Sequence, residues 1–149
     1  MPIIESKSQL VEYFTKGIKK QDQLLIGVEH EKFLFFGKEK KRVDYEQIKK
    51  IFKNLETFGW ESVTENKNTI GLKRNRQQIT TEPGLQYELS GAPLKNIHLV
   101  CSESSTHFNE IKEASKNLDI STASIGFDPF NNLNDCLLYT SDAADDGLS

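Results

Sequence analysis

The spacing of apolar residues predicts three helices. Ser6 and Gln9 form a capping-box pair before an amphipathic helix over residues 7–20. Asp44 and Gln47 form another pair before a helix that ends at Gly59. A third helix follows Pro93, which suits a first helical turn. The predicted buried stripes are Leu10, Val11, Phe14 and Ile18 in the first helix, Ile48, Ile51, Phe52, Leu55 and Phe58 in the second, and Ile97, Val100, Cys101, Ser104, Phe108, Ile111, Ala114 and Leu118 in the third.

Runs of β-branched and aromatic residues predict the strands. The longest covers residues 24–36, and short strands follow at 60–64, 69–72, 78–81 and 86–89, with a last one at 121–127. Polar turn residues separate the first three short strands as hairpins, and a Pro-Gly pair breaks the chain before the fourth. Because the strands cluster between helices, we expect the α+β class, with an antiparallel sheet and flanking helices.

The composition narrows the function classes. Of the 149 residues, 36% are hydrophobic and 28% charged, as in ordinary soluble domains, and two cysteines cannot form a disulfide framework. No apolar run approaches the roughly 20 residues that cross a bilayer, and the start lacks a secretory signal pattern, so we expect a cytoplasmic protein that is not bound to membranes. Residues 1–135 carry equal numbers of basic and acidic side chains, which argues against nucleic-acid binding.

The last fourteen residues, 136–149, differ from the rest of the chain. They contain three aspartates, no lysine or arginine, and no helical or strand period. The segment resembles the translation of an adapter used in transposase-based sequencing libraries, and a natural acidic tail is the alternative. We therefore assign residues 1–135 to the natural protein, exclude 136–149 from fold reasoning, and expect that the natural chain continues beyond residue 135.

Candidate chemistry begins with two glutamates in the long predicted strand. Glu29 and Glu31 are two residues apart, so they point to one face, about 7 Å apart along the strand. Phe33 and Phe35 continue that face as apolar residues. Two carboxylates beside a hydrophobic wall are unfavourable unless a cation or a hydrogen-bond network compensates, and hard oxygen ligands at this spacing suit Mg²⁺. A solvated face on an edge strand is the alternative.

A second acidic pair surrounds the Pro-Gly break. Gln86 and Glu88 share one strand face, whereas Glu82 precedes the break and its direction is open. Taken alone, this segment is a strand followed by a helix entry. If the two pairs of glutamates meet across the sheet, however, four carboxylates require several positive charges, which indicates a metal cluster.

The remaining reactive side chains have simpler interpretations. His30 alternates to the face opposite the glutamates and is expected to be a packed or exposed histidine. His98 and His107 have no zinc-spaced partner and are interpreted as surface or helix-packing groups. Cys101 is expected to be a buried structural thiol. The basic segments 38–42 and 73–76 are interpreted as solvated turns.

Taken together, these segments resemble the N-terminal part of glutamate–cysteine ligase of the plant and bacterial type. The matching segments are IGVEHEKF at 26–33, IGL at 70–72, ITTEPGLQYELSGAPL at 79–94 and GFDP at 126–129. Their order and spacing fit over residues 8–130. One departure is Leu85, where the family usually has a second glycine.

The resemblance implies a partial glutamine synthetase-like, or carboxylate–amine ligase, fold whose antiparallel sheet carries the active site. It implies ATP-dependent joining of the γ-carboxyl of L-glutamate to the amine of L-cysteine, the first step towards glutathione. Glu29, Glu31, Glu82 and Glu88 would be Mg²⁺ ligands, and Gln86 and Ser90 would line the glutamate or nucleotide side. The chain would be an N-terminal piece of the catalytic domain and inactive alone.

Two other hypotheses stay open. The first keeps the fold but uses another amine, because the sequence does not identify the pocket that selects cysteine. The second is a non-enzymatic α+β module whose acidic strand faces are solvated.

Overall fold

The computed structural model describes residues 3–132, so the predicted non-native segment 136–149 lies outside the described residues. Three helices and seven strands form within that range, which confirms the α+β class. The helices are α1 (Lys7–Lys16), α2 (Tyr45–Leu55) and α3 (Ile97–Ser115). The strands are β1 (Glu29–Phe36), β2 (Lys41–Arg42), β3 (Glu61–Glu65), β4 (Asn68–Arg74), β5 (Gln77–Glu82), β6 (Gln86–Ser90) and β7 (Ile120–Ala123).

The strands form one sheet in the order β2-β1-β6-β5-β4-β3, and β7 also pairs with β1. Every pairing between these strands is antiparallel, as predicted. β1 is central because its first half pairs with β6 and its second half with β2 and β7. It therefore links the acidic segment of β6 to the C-terminal strand.

One face of the sheet carries the hydrophobic core. Leu34, Leu72, Ile79, Tyr87 and Leu89 contribute from the strands and pack with the buried stripes of α2 and α3. Burying a side chain of this size stabilises the fold by roughly 1.5 to 3 kcal/mol. Because side chains alternate along a strand, the residues between these core positions lie on the opposite face of the sheet.

The capping pairs predicted for α1 and α2 are confirmed, but the apolar stripes predicted to be buried are confirmed only in part. Ser6 and Gln9 cap α1, and Asp44 and Gln47 cap α2 through the predicted reciprocal bonds. α1 ends at Lys16, four residues early, and its predicted stripe is exposed because no other element in residues 3–132 covers it. α2 buries its stripe up to Leu55, whereas Phe58 lies in a following 3-10 turn and is exposed.

The prediction for α3 was wrong in its start and only partly right in its inner face, where Val100, Ile111 and Ala114 are buried as predicted. Asn96 caps the helix, so Pro93 lies outside the first turn. The buried residues of α3 are Val100, His107, Glu110, Ile111, Ala114 and Ser115. Cys101 is exposed, so it is not the predicted buried thiol. The apolar pattern misled because the buried stripe includes polar residues, and Glu110 is held there by Arg74 and Trp60.

The structure shortens two of the predicted strands. β1 begins at Glu29 rather than residue 24, because the preceding segment makes only a bridge between Ile26 and Leu94. β7 ends at Ala123 rather than residue 127. The short strands and the turns between them match the prediction closely, with left-handed backbone at Asn66, Lys67 and Asn75.

Candidate functional site

The carboxylates of β1 lie on the face of the sheet opposite the core. Glu29 pairs with Ser90 and Glu31 pairs with Glu88 in the antiparallel ladder. Residues directly opposite each other in such a ladder point to the same face, with Cβ atoms about 4.5 to 5.5 Å apart. The register therefore brings the two acidic segments together on one face.

Glu82 joins the same face from the neighbouring strand. It lies opposite Gln86 at the ends of β5 and β6, and Thr80 lies opposite Glu88. A 3-10 turn over Pro83–Leu85 reverses the chain between the two strands. The direction of Glu82, which the sequence left open, is thus set by this register. We call Glu29, Glu31, Glu82 and Glu88 the acidic cluster.

Hydrogen bonds connect the predicted site residues. Gln86 Nε2 donates to Glu31 Oε2 at 2.5 Å, and Ser90 Oγ donates to Glu88 Oε1 at 2.7 Å. Glu88 is buried, whereas the other three glutamates are exposed. These bonds join Gln86 to Glu31 and Ser90 to Glu88, and the strand register places Glu29 and Glu82 on the same face.

The other carboxyls of the acidic cluster change the pKa of Glu82. The pKa of Glu82 is raised above its ordinary value of 4.5, first by the hydrogen bond to Glu88 and by burial, then by the charges of Glu88, Glu31 and Glu29. A proton at Glu82 is favoured because it reduces the repulsion among the four carboxyls. A divalent cation would relieve the same repulsion.

The donor set fits a hard cation, although it is not a preformed cage. Within residues 3–132, no three or more His, Cys, Asp or Glu side chains are already arranged to hold a metal ion. Glu31 Oε2 and Glu88 Oε1 instead accept hydrogen bonds from Gln86 and Ser90. The carboxylate oxygens of the four glutamates are ligands of the kind that Mg²⁺ prefers.

The opposite face of β1 carries polar groups that do not join the acidic cluster. His30 accepts or donates a 2.8 Å hydrogen bond with Ser104 Oγ on α3, as its predicted alternation requires. Lys32 is fully buried and its Nζ has no hydrogen-bond partner within the described chain. Burial lowers its pKa to about 8. His107 is buried too, and burial followed by the charge of Lys32 lowers its pKa to about 3.

Two arginines in the basic segments are structural, contrary to the prediction of solvated turns. Arg74 pairs with Glu110 and lies over the Trp60 ring, with 4.2 Å between Cζ and the ring centroid. Arg42 pairs with Asp128 at 2.6 Å. Neither ion pair was predicted, because a charged residue beside a turn is usually exposed. The one indication in the sequence was that Asp128 lies in the GFDP segment that resembles the family.

Leu85 has a strained backbone. Its φ is +59°, and that of the preceding Gly84 is +74°. The left-handed region suits glycine and costs other residues roughly 1 to 2 kcal/mol. Glycine would suit position 85 better than leucine, because the turn holds left-handed backbone there.

A protein-family profile matches most of the chain. The profile of glutamate-cysteine ligase family 2 (GCS2) matches residues 25–142. That match ends inside segment 136–149, whose assignment as non-native stays a prediction. No helix among residues 3–132 is long and apolar enough to cross a membrane.

Similar proteins come from plants. The chain is 41% identical over 125 residues to the chloroplastic glutamate–cysteine ligase of Medicago truncatula, covering 83% of the chain and 25% of that protein. It is 41% identical to the chloroplastic ligase A of Oryza sativa subsp. japonica, with the same coverage, and 39% identical to the chloroplastic ligase of Arabidopsis thaliana, covering 24% of it. The chain thus spans about a quarter of the length of these relatives. The chain belongs to glutamate-cysteine ligase family 2.

Proposed function

We propose that the acidic cluster binds Mg²⁺ at the active site of a glutamate–cysteine ligase. Glu29, Glu31, Glu82 and Glu88 are the proposed ligands. The observation that carries this proposal is the register of β1, β6 and β5, which places all four on one face. A packed or merely solvated sheet face gains nothing from four neighbouring carboxylates, because like charges opposite each other destabilise a sheet.

The proposed reaction joins the γ-carboxyl of L-glutamate to the amine of L-cysteine with ATP, giving γ-glutamylcysteine. A carboxylate is a poor electrophile, so ATP first converts it to an acyl phosphate, and the amine then displaces phosphate. Mg²⁺ would supply neutralisation of the phosphate charges and of the charge on the transferred group. The proposal includes the glutamine synthetase-like arrangement of the sheet, and the relatives' names support the ligase activity.

The chain's own residues have distinct tasks in this proposal. The four glutamates hold the cation and are not nucleophiles. Gln86 and Ser90 orient Glu31 and Glu88 through their hydrogen bonds, and their amide and hydroxyl groups then face the glutamate or nucleotide side. Neither Cys101 nor Cys136 takes part, because the acceptor cysteine is a free substrate.

A chimera provides a direct test, because the chain spans a quarter of its relatives. Residues 25–132 would replace the corresponding segment of the Medicago truncatula ligase. We expect formation of γ-glutamylcysteine and ADP that depends on glutamate, cysteine and ATP. Glu29→Gln in the chimera should lower kcat sharply and raise the Mg²⁺ concentration needed for half activity. The control Glu65→Gln changes an exposed glutamate on β3 and should leave both values unchanged.

The outcomes separate the remaining hypotheses. A folded chimera that uses another amine in place of cysteine would support a different carboxylate–amine ligase. A folded chimera without activity would favour the non-enzymatic module, and unchanged kinetics in Glu29→Gln would remove Glu29 from the metal site. A cytoplasmic location also belongs to the proposal and can be tested by fractionation, since the names of the plant relatives describe those proteins as chloroplastic.

A further inference from the structure

Arg42 joins three separate parts of the chain beside the acidic cluster. It lies at the end of β2, and its Nε donates to Asp128 Oδ2 at 2.6 Å. Its Nη1 donates to the main-chain carbonyl of Gly84 at 2.9 Å. The guanidinium also lies over the Phe33 ring, with 5.2 Å between Cζ and the ring centroid. The side chain is therefore fixed from three directions.

Asp128, the ion-pair partner of Arg42, is also held by several hydrogen bonds. Only 3% of its side chain is exposed, and it accepts hydrogen bonds from the main-chain amides of Phe130 and Asn131. The Asn131 side chain donates to Asp128 and also to the carbonyl of Lys40, which ties the segment back to the start of β2. Burial alone would raise the pKa of Asp128, but the hydrogen bonds from Phe130, Arg42 and Asn131 outweigh it and lower the pKa.

Gly84 is the point at which this anchored pair reaches the acidic cluster. Its carbonyl belongs to the turn over Pro83–Leu85, which directly connects Glu82 to Gln86. Left-handed backbone suits Gly84 but strains Leu85, so local geometry works against the turn at Leu85. The hydrogen bond from Arg42 to the Gly84 carbonyl is a contact from outside the turn that offsets this strain.

We propose that Arg42, fixed by Asp128, is a positioning residue that sets the placement of Glu82 and Gln86 for cation binding. Its planar fork bonds Asp128 and the Gly84 carbonyl at the same time, which a lysine ammonium cannot reproduce in this geometry. The inference rests on the proposed function, because it assigns Arg42 a role at the proposed Mg²⁺ site. The inference adds two residues, Arg42 and Asp128, to the proposed Mg²⁺ site, and in this role they contact neither the cation nor the substrate.

The chain contains a matched control pair at the other end of the sheet. Arg74 donates to Glu110 at 2.7 Å and to the carbonyl of Phe58 at 2.9 Å, and it also lies over an aromatic ring. Its side chain is 18% exposed, the same as that of Arg42. Arg74→Lys therefore removes the same kind of guanidinium hydrogen bonding without changing any contact to the turn between Glu82 and Gln86.

The first test measures Mn²⁺ binding to the 149-residue chain by electron paramagnetic resonance, together with thermal unfolding. Arg42→Lys and Arg74→Lys should both lower the unfolding midpoint. Only Arg42→Lys should weaken Mn²⁺ binding, by roughly tenfold, as for other residues that orient metal ligands. Equal Mn²⁺ affinity in the two variants would overturn the inference. If the unchanged chain binds no Mn²⁺, the proposed cation site and the inference both fail.

A second test needs no variant and decides the question if Arg42→Lys fails to fold. The Nε–H resonances of arginines are followed by NMR while Mg²⁺ is added to the unchanged chain. We expect the Arg42 Nε–H and the amides of residues 84–86 to shift together with one midpoint, and the Arg74 Nε–H to stay in place. An Arg42 signal that stays fixed while Mg²⁺ binds would refute the positioning role.

Discussion

Replacement of Glu82 by glutamine should affect the stability of the cation-free chain and its cation binding in opposite ways. Above the pKa of Glu82, glutamine keeps the shape of the side chain, can donate a hydrogen bond to Glu88, and removes one of four converging charges. In the absence of divalent cations the variant should be more stable than the unchanged chain. In the presence of Mg²⁺ it should gain less stability.

The expected size follows from the register. Glu82 is exposed and faces three carboxylates, so solvent screening limits the repulsion to the range of cross-strand charge pairs, about 0.5 to 1 kcal/mol. For a chain of this length that corresponds to a rise of roughly 1 to 4 °C in the unfolding midpoint. At a Mg²⁺ concentration ten times its Kd, the unchanged chain should gain about 1.4 kcal/mol, which reverses the order of the two proteins.

The pH dependence has a definite sign. The folded-state pKa of Glu82 is raised above 4.5, so its protonated form stabilises the fold at low pH and this contribution is lost as the pH rises through the folded value. The advantage of Glu82→Gln should therefore be full at pH 7 to 8 and disappear below the raised pKa.

The assay is thermal unfolding followed by circular dichroism, with EDTA or Mg²⁺, at several pH values. Glu65→Gln is the control, because Glu65 is exposed on β3 opposite Asn68 and loses the same charge without a carboxylate neighbour across the ladder. It should change stability by less than about 0.5 kcal/mol. A Glu82→Gln chain that is less stable without cations, or that gains as much from Mg²⁺, would refute the reasoning.

Three further predictions concern stability, each measured by unfolding in urea. Leu85→Gly should stabilise the chain by about 1 kcal/mol because it relieves left-handed backbone, and Leu85→Ala should not; equal effects would contradict the strain. Gly91→Ala should destabilise by about 1 to 3 kcal/mol, because the new Cβ would clash with the main-chain carbonyl of Val28 and with the Glu103 carboxylate. Gly27→Ala has open space, and similar losses in the two variants would argue against that packing. Lys32→Met should stabilise by about 2 to 3 kcal/mol at pH 7, because the buried ammonium has no hydrogen-bond partner among residues 3–132. The gain should fade between pH 8 and 10.5 as the unfolded lysine also loses its proton, and a pH-independent gain would contradict a charged Lys32.

Much of the candidate site could be predicted from local alternation. Glu29 and Glu31 point to one face, and Gln86 and Glu88 point to one face, because side chains alternate along any strand. The capping pairs at Ser6 and Asp44 were equally local, since each bond spans three residues. Such features need no knowledge of which strands pair.

The assembly of the site was decided only by the tertiary structure. The pairing of Glu31 with Glu88 and of Glu82 with Gln86 depends on register between strands distant in sequence or separated by a turn, and alternation alone does not determine register. The inner face of α3 also depended on partners, because Glu110 is buried only where Arg74 and Trp60 meet it.

The sequence by itself therefore determined the class of fold, the shared face of Glu29 with Glu31 and of Gln86 with Glu88, and the family resemblance that four separated segments carry. The tertiary structure decided which carboxylates meet and which arginine, Arg42, holds the turn between two of them. The physical reason is the distance along the chain over which each kind of interaction acts. Periodicity and capping act over a few residues, whereas register, buried ion pairs and convergent charge depend on contacts between residues far apart in the chain.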